Sequence, residues 1–189
     1  MHNHHNPLII FSGPSGVGKS TIVSRLKETG KYQFSVSATS RPRRSGEVDG
    51  VHYYFKSEEE MENTQLKHFL EFNEVHGHYY GTYRTELEKL KNSPLLMDVD
   101  VRGFEMIKTR CKDIPIFSIF IMPPSMDVLQ QRLCIRADTP KDQIVRRLKH
   151  AHWEMAQACK YDRVIVNDDL DAAVGIIQDI LDRLMEQEG

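Results

Sequence analysis

The chain has 189 residues, 40% hydrophobic and 28% charged, the balance of one soluble domain or of one core carrying inserted lobes. Its 25 basic and 27 acidic residues give a net charge of −2, which argues against a general nucleic-acid surface and leaves open a small anion held by local arginines. No apolar run reaches membrane-spanning length, residues 1–7 lack the apolar core of a signal peptide, and Cys111, Cys134 and Cys159 form no C-x-x-C pair, so reduced thiols in a cytoplasmic protein are expected.

His2, His4 and His5 read as a frayed terminus. Leu8-Ile9-Ile10-Phe11 suits a strand buried on both faces, followed by a glycine-rich turn over residues 13–20 and a helix over 21–28 ended by Gly30. Residues 34–37 suggest a second strand, 40–50 an arginine-rich loop, and 53–55 a short strand. Ser57 and Glu60 form a capping box for a helix to about residue 65. Residues 69–83 read as strand, turn, strand, broken by Gly77 and Gly81. A strand over 95–101, a helix over 103–111 and a strongly apolar strand over 116–122 follow. Ser125 caps a helix to about 136, and Thr139-Pro140 restarts one running to about 159. Residues 163–166 form the last strand and 170–187 the last helix.

Apolar strands alternating with helices predict an α/β fold, a parallel sheet with helices on both faces. The core is expected over residues 1–33 and 84–189, with a small lid at about 137–145. The aromatic, glycine-punctuated residues 34–83 are expected as an inserted lobe.

Gly13-Pro14-Ser15-Gly16-Val17-Gly18-Lys19-Ser20 fits G-x-x-x-x-G-K-[ST] in full, between a predicted strand and a predicted helix. The glycines let backbone N–H groups surround a polyphosphate, and the helix N-terminus adds positive charge. Lys19 is placed for the β- and γ-phosphates, and Ser20 offers a hydroxyl to Mg²⁺. The motif alone fits kinases, GTPases and ATPases equally.

Between positions 37 and 82 lie Ser37, Arg41, Arg44, Glu47, Tyr53, Glu71, Tyr80 and Thr82. Arginine forks and tyrosine hydroxyls suit a phosphate. Guanine presents N1–H and N2–H₂, which need carboxylate acceptors such as Glu71 or Asp100, and an O6 that a Ser37 or Thr82 hydroxyl can meet. Each residue also has a plainer reading: a solvated arginine loop, a surface carboxylate, or core aromatics with wet tips. Spacing does not choose between them. Asp98 and Asp100 lie two apart in a predicted apolar strand, so both are expected on one face at its C-terminal end, where ligands bind in such sheets. Metal and base contact would justify their burial; structural ion pairing is the alternative.

Longer stretches go further. Phe34-Ser35-Val36-Ser37-Ala38-Thr39-Ser40-Arg41, the run from Arg44 through Glu47 to Phe55, Phe69-Leu70-Glu71, Tyr79-Tyr80-Gly81-Thr82, Asp98-Val99-Asp100 and Val164-Ile165-Val166-Asn167-Asp168 together resemble guanylate kinases over residues 8–185. The resemblance implies Mg²⁺-dependent transfer of the ATP γ-phosphoryl group to GMP, with dGMP a possible acceptor. Residues 13–20, Thr21 and Asn167 would bind ATP, with Asn167 near the adenine. Arg41, Arg44, Tyr53 and Tyr80 would hold the GMP phosphate, Glu47 would support the arginines, and Ser37, Glu71, Thr82 and Asp100 would read guanine. Ser20 and Asp98 would serve Mg²⁺. Lys19 and the lid and hinge arginines Arg132, Arg136 and Arg147 would be catalytic. Members often carry Gly-Arg-Gly at the lid; here it is Ile135-Arg136-Ala137-Asp138. Arg102 stands where glutamine is common, and Thr82 where some members have serine.

A phosphate acceptor is already anionic, so catalysis by such a site needs no general base and rests on positioning and charge neutralisation. Three rivals are weaker. Scaffold modules of this fold typically lack an intact phosphate loop, a sugar-phosphate kinase would not need the guanine set, and a GTPase would carry N-K-x-D.

Overall fold

The computed structural model of the protein describes residues 6–75, 77–135 and 141–188. The central sheet is formed by β1 (Leu8–Ser12), β2 (Gln33–Phe34), β7 (Leu95–Asp98), β8 (Ile116–Met122) and β9 (Arg163–Val166), all parallel, in the order β2-β7-β1-β8-β9. Along β1 the pleat sends side chains alternately to two buried layers. Ile9 and Phe11 join a core with Ile22, Leu26, Leu129, Leu133, Ala151 and Ile177, supplied by α1 (Lys19–Glu28), α4 (Met126–Ile135), α5 (Lys141–Met155) and α6 (Leu170–Glu188). Leu8 and Ile10 join the opposite core with Phe104 and Ile107 of α3 (Val101–Arg110) and with Phe120 and Tyr161. A sheet covered on both sides explains why its strands are uninterrupted apolar runs.

A second sheet is built between β2 and β7. It contains β3 (Ala38–Thr39), β4 (Tyr54–Phe55), β5 (Phe69–Val75) and β6 (His78–Tyr83), in the order β4-β3-β6-β5. The β5–β6 pair is an antiparallel hairpin that turns at Gly77, where φ is +80°. A small core of Ala38, Met61 and Phe69, with Tyr54, Phe72, Tyr79 and Tyr83 against it, lies under this sheet. The short α2 (Glu58–Asn63) starts with the expected capping box: Ser57 Oγ accepts from the Glu60 N–H at 3.0 Å, and the Ser57 N–H donates to Glu60 Oε2 at 2.7 Å. Leu70 points the other way and is fully buried in the α3 layer, so β5 joins the two sheets.

Several expected boundaries move. The strand expected over 34–37 is two short strands. Phe34 pairs with Leu96 in the central sheet, Ala38 pairs with Gly81 in the second, and the chain crosses between them. Gly81 does not break a strand but lies within β6, where a Cβ would come within 2.8 Å of the Phe69 ring. Glycine there admits the close approach of an aromatic neighbour. The strand expected over 95–101 ends at Asp98, because Asp100 turns the backbone into α3 as its N-cap. Residues 84–91, with no strong periodicity of their own, form an extended 3₁₀ segment, Arg84–Lys91. The helix restart expected at Thr139-Pro140 lies outside the described residues.

Candidate active site

Going from β1, the sheet adds β7 on one side and β8 on the other, so a crevice opens at the strands' C-terminal ends. The glycine-rich loop fills the floor of that crevice. Gly13, Gly16 and Gly18 all have positive φ, at +146°, +88° and +102°. A Cβ on Gly13 would lie 2.3 Å from the Ile121 carbonyl oxygen, and one on Gly18 would lie 2.4 Å from Asn167 Nδ2. Conformation and space both demand glycine, and the loop delivers its N–H groups directly into the start of α1.

Lys19 bends back across this loop, donating from Nζ to the Gly13 carbonyl at 2.6 Å, and lies 4.0 Å from Asp98 Oδ1. Ser20 Oγ donates to Asp98 Oδ2 at 3.4 Å. Burial pushes the Asp98 carboxyl up, and Lys19 and Ser20 oppose that. Asn167, at the end of β9, donates from Nδ2 to the Val17 carbonyl at 2.7 Å, while its own Oδ1 is buried without a hydrogen-bond partner among the described residues. Arg132 donates to the Asn167 carbonyl at 3.0 Å. Gly16, Gly18, Thr21, Arg132, Asn167 and Leu170 are among the residues around a cavity of about 230 Å³ beside the loop.

The second sheet carries a separate polar set. Thr82 Oγ1 donates to Glu71 Oε1 at 2.7 Å and lies 2.8 Å from Ser37 Oγ, so β3's approach, β5 and β6 are joined by three side chains. A bulge between Phe69 and Glu71 re-aims Glu71 to face Thr82. Glu71 is buried, and burial drives its carboxyl up to about 7, with Thr82 opposing and Asp100 adding to the rise. Asp100 accepts from the Gly103 N–H at 2.7 Å. It is not on the strand face shared with Asp98, as the spacing suggested, but at the N-terminus of α3 beside Glu71. Gly103 makes that meeting possible: a Cβ there would lie 3.1 Å from both Asp100 Oδ1 and Glu71 Oε2. The sequence reading missed Gly103; its signal was the cap spacing, three residues after Asp100.

Farther out, Arg41 Nη2 donates to both Glu47 carboxylate oxygens, at 2.8 and 3.0 Å, and Glu47 also accepts from the Arg44 N–H at 2.8 Å. The Arg41 guanidinium lies over the Tyr53 ring, and Tyr53 meets Tyr80 edge to face. Burial pulls Arg41 down, but Glu47 and Tyr80 more than offset it and hold the guanidinium above its ordinary range. Arg147 of α5 faces the same set: burial first, then Arg44, lowers it. Tyr80 thus lies within electrostatic reach of both Arg41 and Arg147, and Arg44 within reach of Arg147.

The guanylate kinase family model matches residues 5–184. The chain belongs to the guanylate kinase family. The guanylate kinase of Rhizobium etli is 43% identical, over 92% of this chain and 80% of that protein. That of Sulfurimonas denitrificans is 41% identical, over 96% and 90%. The crystal structure of guanylate kinase from Anaplasma phagocytophilum has 33% sequence identity and a TM-score of 0.76, covering 95% of this chain and 86% of that one. A gluconokinase from Sinorhizobium meliloti 1021, with a TM-score of 0.54 and 14% identity, shares the fold alone.

Against the expectations drawn from the guanylate kinase resemblance, the structure brings two groups together. Lys19, Ser20, Asp98 and Asn167 converge at the loop, and Ser37, Glu71, Thr82 and Asp100 converge at the junction of the sheets. Arg132 lies on the loop side of the crevice, its guanidinium on backbone carbonyls. Arg136 lies outside the described residues. Arg102 lies over the Trp153 ring, at 5.5 Å, and within electrostatic reach of Asp100.

Proposed function

We propose that the protein catalyses transfer of the γ-phosphoryl group of ATP to GMP, giving ADP and GDP. The observation that carries this reading is the linked set Ser37–Thr82–Glu71, with Thr82 and Glu71 buried, beside Asp100. Two carboxylates match the N1–H and N2–H₂ donors, and a hydroxyl matches O6. Adenine would leave those groups unpaired, at about 1–3 kcal/mol for each buried group.

The donor nucleotide would occupy the loop: the N–H groups of residues 13–20 and Lys19 on the phosphates, Thr21 at the mouth, and the base near Asn167, whose unpaired Oδ1 suits an amino group. Arg41, Arg44, Tyr53 and Tyr80 would hold the acceptor phosphate, with Glu47 fixing the two arginines. The acceptor oxygen is anionic at neutral pH, so no side chain needs to remove a proton. The protein's part is to align the two phosphates and offset their charge with Lys19 and Arg147, joined by Arg132 once it exchanges carbonyls for phosphate oxygens, and by Arg136.

Magnesium fits the pair Ser20 and Asp98, whose hydroxyl and carboxylate already meet beside Lys19. Among the described residues no three His, Cys, Asp or Glu side chains form a metal site of their own. When bound, it would neutralise charge shared by the β- and γ-phosphates. Closure of the second sheet over the crevice would exclude water, a competing acceptor.

A coupled ADP-release assay with ATP, Mg²⁺ and GMP, AMP, CMP or UMP in turn tests this. Turnover with GMP, and with dGMP if the ribose is tolerated, is the expected result. Equal turnover with AMP, or none with GMP in folded protein, would overturn it.

A further inference from the structure

The polypeptide passes between the two sheets twice. On the way out, Ser35 still donates to the Leu96 carbonyl of the central sheet at 2.9 Å, whereas the Ser37 carbonyl already accepts from Tyr54 of the second sheet at 2.9 Å. Val36, between them, belongs to neither ladder. Its N–H donates instead to Glu86 Oε2 at 2.7 Å. Glu86 sits on the return crossing, in the 3₁₀ segment Arg84–Lys91, and is 5% exposed. The same oxygen accepts from Lys89 Nζ at 2.7 Å, and Lys89 Nζ also donates to the Phe34 carbonyl at 3.0 Å. Tyr54 in the second sheet also lies near this carboxylate: its hydroxyl is raised by burial and then by Glu86.

A carboxylate is an expensive group to bury, and one that satisfies a single backbone N–H could be replaced by a turn at lower cost. What this one does is join the outward crossing to the return crossing, while Lys89 Nζ ties the junction to the Phe34 carbonyl at the edge of the central sheet. On either side of the junction stand the two hydroxyls assigned to the base: Ser37 follows Val36 directly, and Thr82 precedes Glu86 by four residues. Their oxygens are 2.8 Å apart. A shift of one crossing against the other would separate that pair before it disturbed the phosphate loop, which hangs from β1.

We propose that Glu86 is a positioning residue for the acceptor nucleotide: with Lys89 it locks the two crossings together, so that Ser37 and Thr82 hold their hydroxyls in register for the base, without itself touching nucleotide. The inference rests on GMP being the acceptor. It predicts an effect confined to one substrate, which a generally stabilising ion pair would not produce.

The test is steady-state kinetics on the full chain. Glu86→Ala is expected to raise the KM for GMP about tenfold, the equivalent of losing one charge-assisted hydrogen bond, while kcat and the KM for ATP stay within about twofold of wild type. Glu86→Gln, whose amide oxygen still accepts from Val36, should recover most of the GMP affinity. If the two KM values rise together, or if only the melting temperature falls, Glu86 is a structural clamp and the proposal is overturned. Should Glu86→Ala fail to fold, Lys89→Met keeps the Val36 bond and removes the strap to Phe34. A GMP-specific rise in KM supports the proposal, and wild-type constants for both substrates sink it. A wild-type enzyme inactive on GMP would instead defeat the assigned reaction, so the two failures are distinguishable.

Discussion

A carboxylate that reads guanine has to be buried to discriminate and ionised to accept, and Glu71, proposed for that role, sits where those demands conflict. Burial raises it to about 7 from an ordinary 4.5, so near neutral pH a large share of the ligand-free protein carries it as the neutral acid. A neutral acid offers a donor where guanine also offers donors. The expected outcome is a kcat/KM for GMP that falls as pH drops below about 7. Stability runs the other way. A folded-state value above the unfolded one contributes stability that is complete below about 4.5 and lost as pH rises through about 7. Replacing Glu71 with Gln removes that loss. Its melting temperature relative to wild type should climb between about pH 5 and pH 8, a comparison that cancels the other titrating groups. The same variant should lose about ten- to a hundredfold of its preference for GMP over AMP. An unchanged preference would remove Glu71 from the base site. Lys19 separates the two substrates differently. Lys19→Ala is expected to lower kcat by orders of magnitude, while calorimetric titration still detects GMP binding, because Lys19 contacts the loop and Asp98 and none of the base readers.

At the scale of elements, α3 begins at a residue that caps its backbone and is proposed to read the ligand as well. Asp100 caps the helix through the Gly103 N–H and faces Glu71 across the gap that Gly103 leaves open. Asp100→Asn should keep the cap and lose the acceptor charge, leaving the melting temperature near wild type with a weaker GMP site. Asp100→Ala should lose both and cost about 1 kcal/mol of stability besides. Equal GMP affinity in wild type and Asp100→Asn, measured by titration, would reduce Asp100 to a cap. This double role also marks the limit of what the sequence made legible. The strand–loop–helix of residues 8–28 and the Ser57–Glu60 capping box are local patterns, and both were readable. The register of Asp100 depended on where β7 ended, which is set by pairing with β1 and by the cap itself. Glu86 stands in a polar stretch with no motif around it. Only the return of the chain against Val36, fifty residues earlier, buries it. Gly103 contributes empty space, and its one trace in the sequence is the cap spacing from Asp100, which is legible only once Asp100 is known to be the cap.

For the molecule as a whole, the central question is what draws the second sheet toward the helices of the core. Arg147 on α5 and Arg44 on the loop before β4 approach closely enough that Arg44 lowers Arg147, after burial. Two guanidinium groups repel in the ligand-free protein and attract a dianion placed between them, so the phosphate of the acceptor can act as the latch that closes the crevice. A ligand at a hundredfold its Kd adds about 2.7 kcal/mol, a rise of roughly 5–10 °C for a chain of this size. GMP should therefore raise the melting temperature well beyond guanosine, and salt should shrink the difference, since much of it is charge attraction at the protein surface. Arg147→Met removes one half of the latch while keeping an apolar stem of similar length. Its ligand-free melting temperature should equal or exceed wild type, its response to guanosine should be unchanged, and its extra response to GMP should largely disappear. If the variant is instead destabilised without ligand and still responds fully to GMP, Arg147 braces the helix and the phosphate is held from the second sheet alone. In that case closure would have to be driven by the base contacts at Glu71 and Asp100, and guanosine should close the protein as well as GMP does.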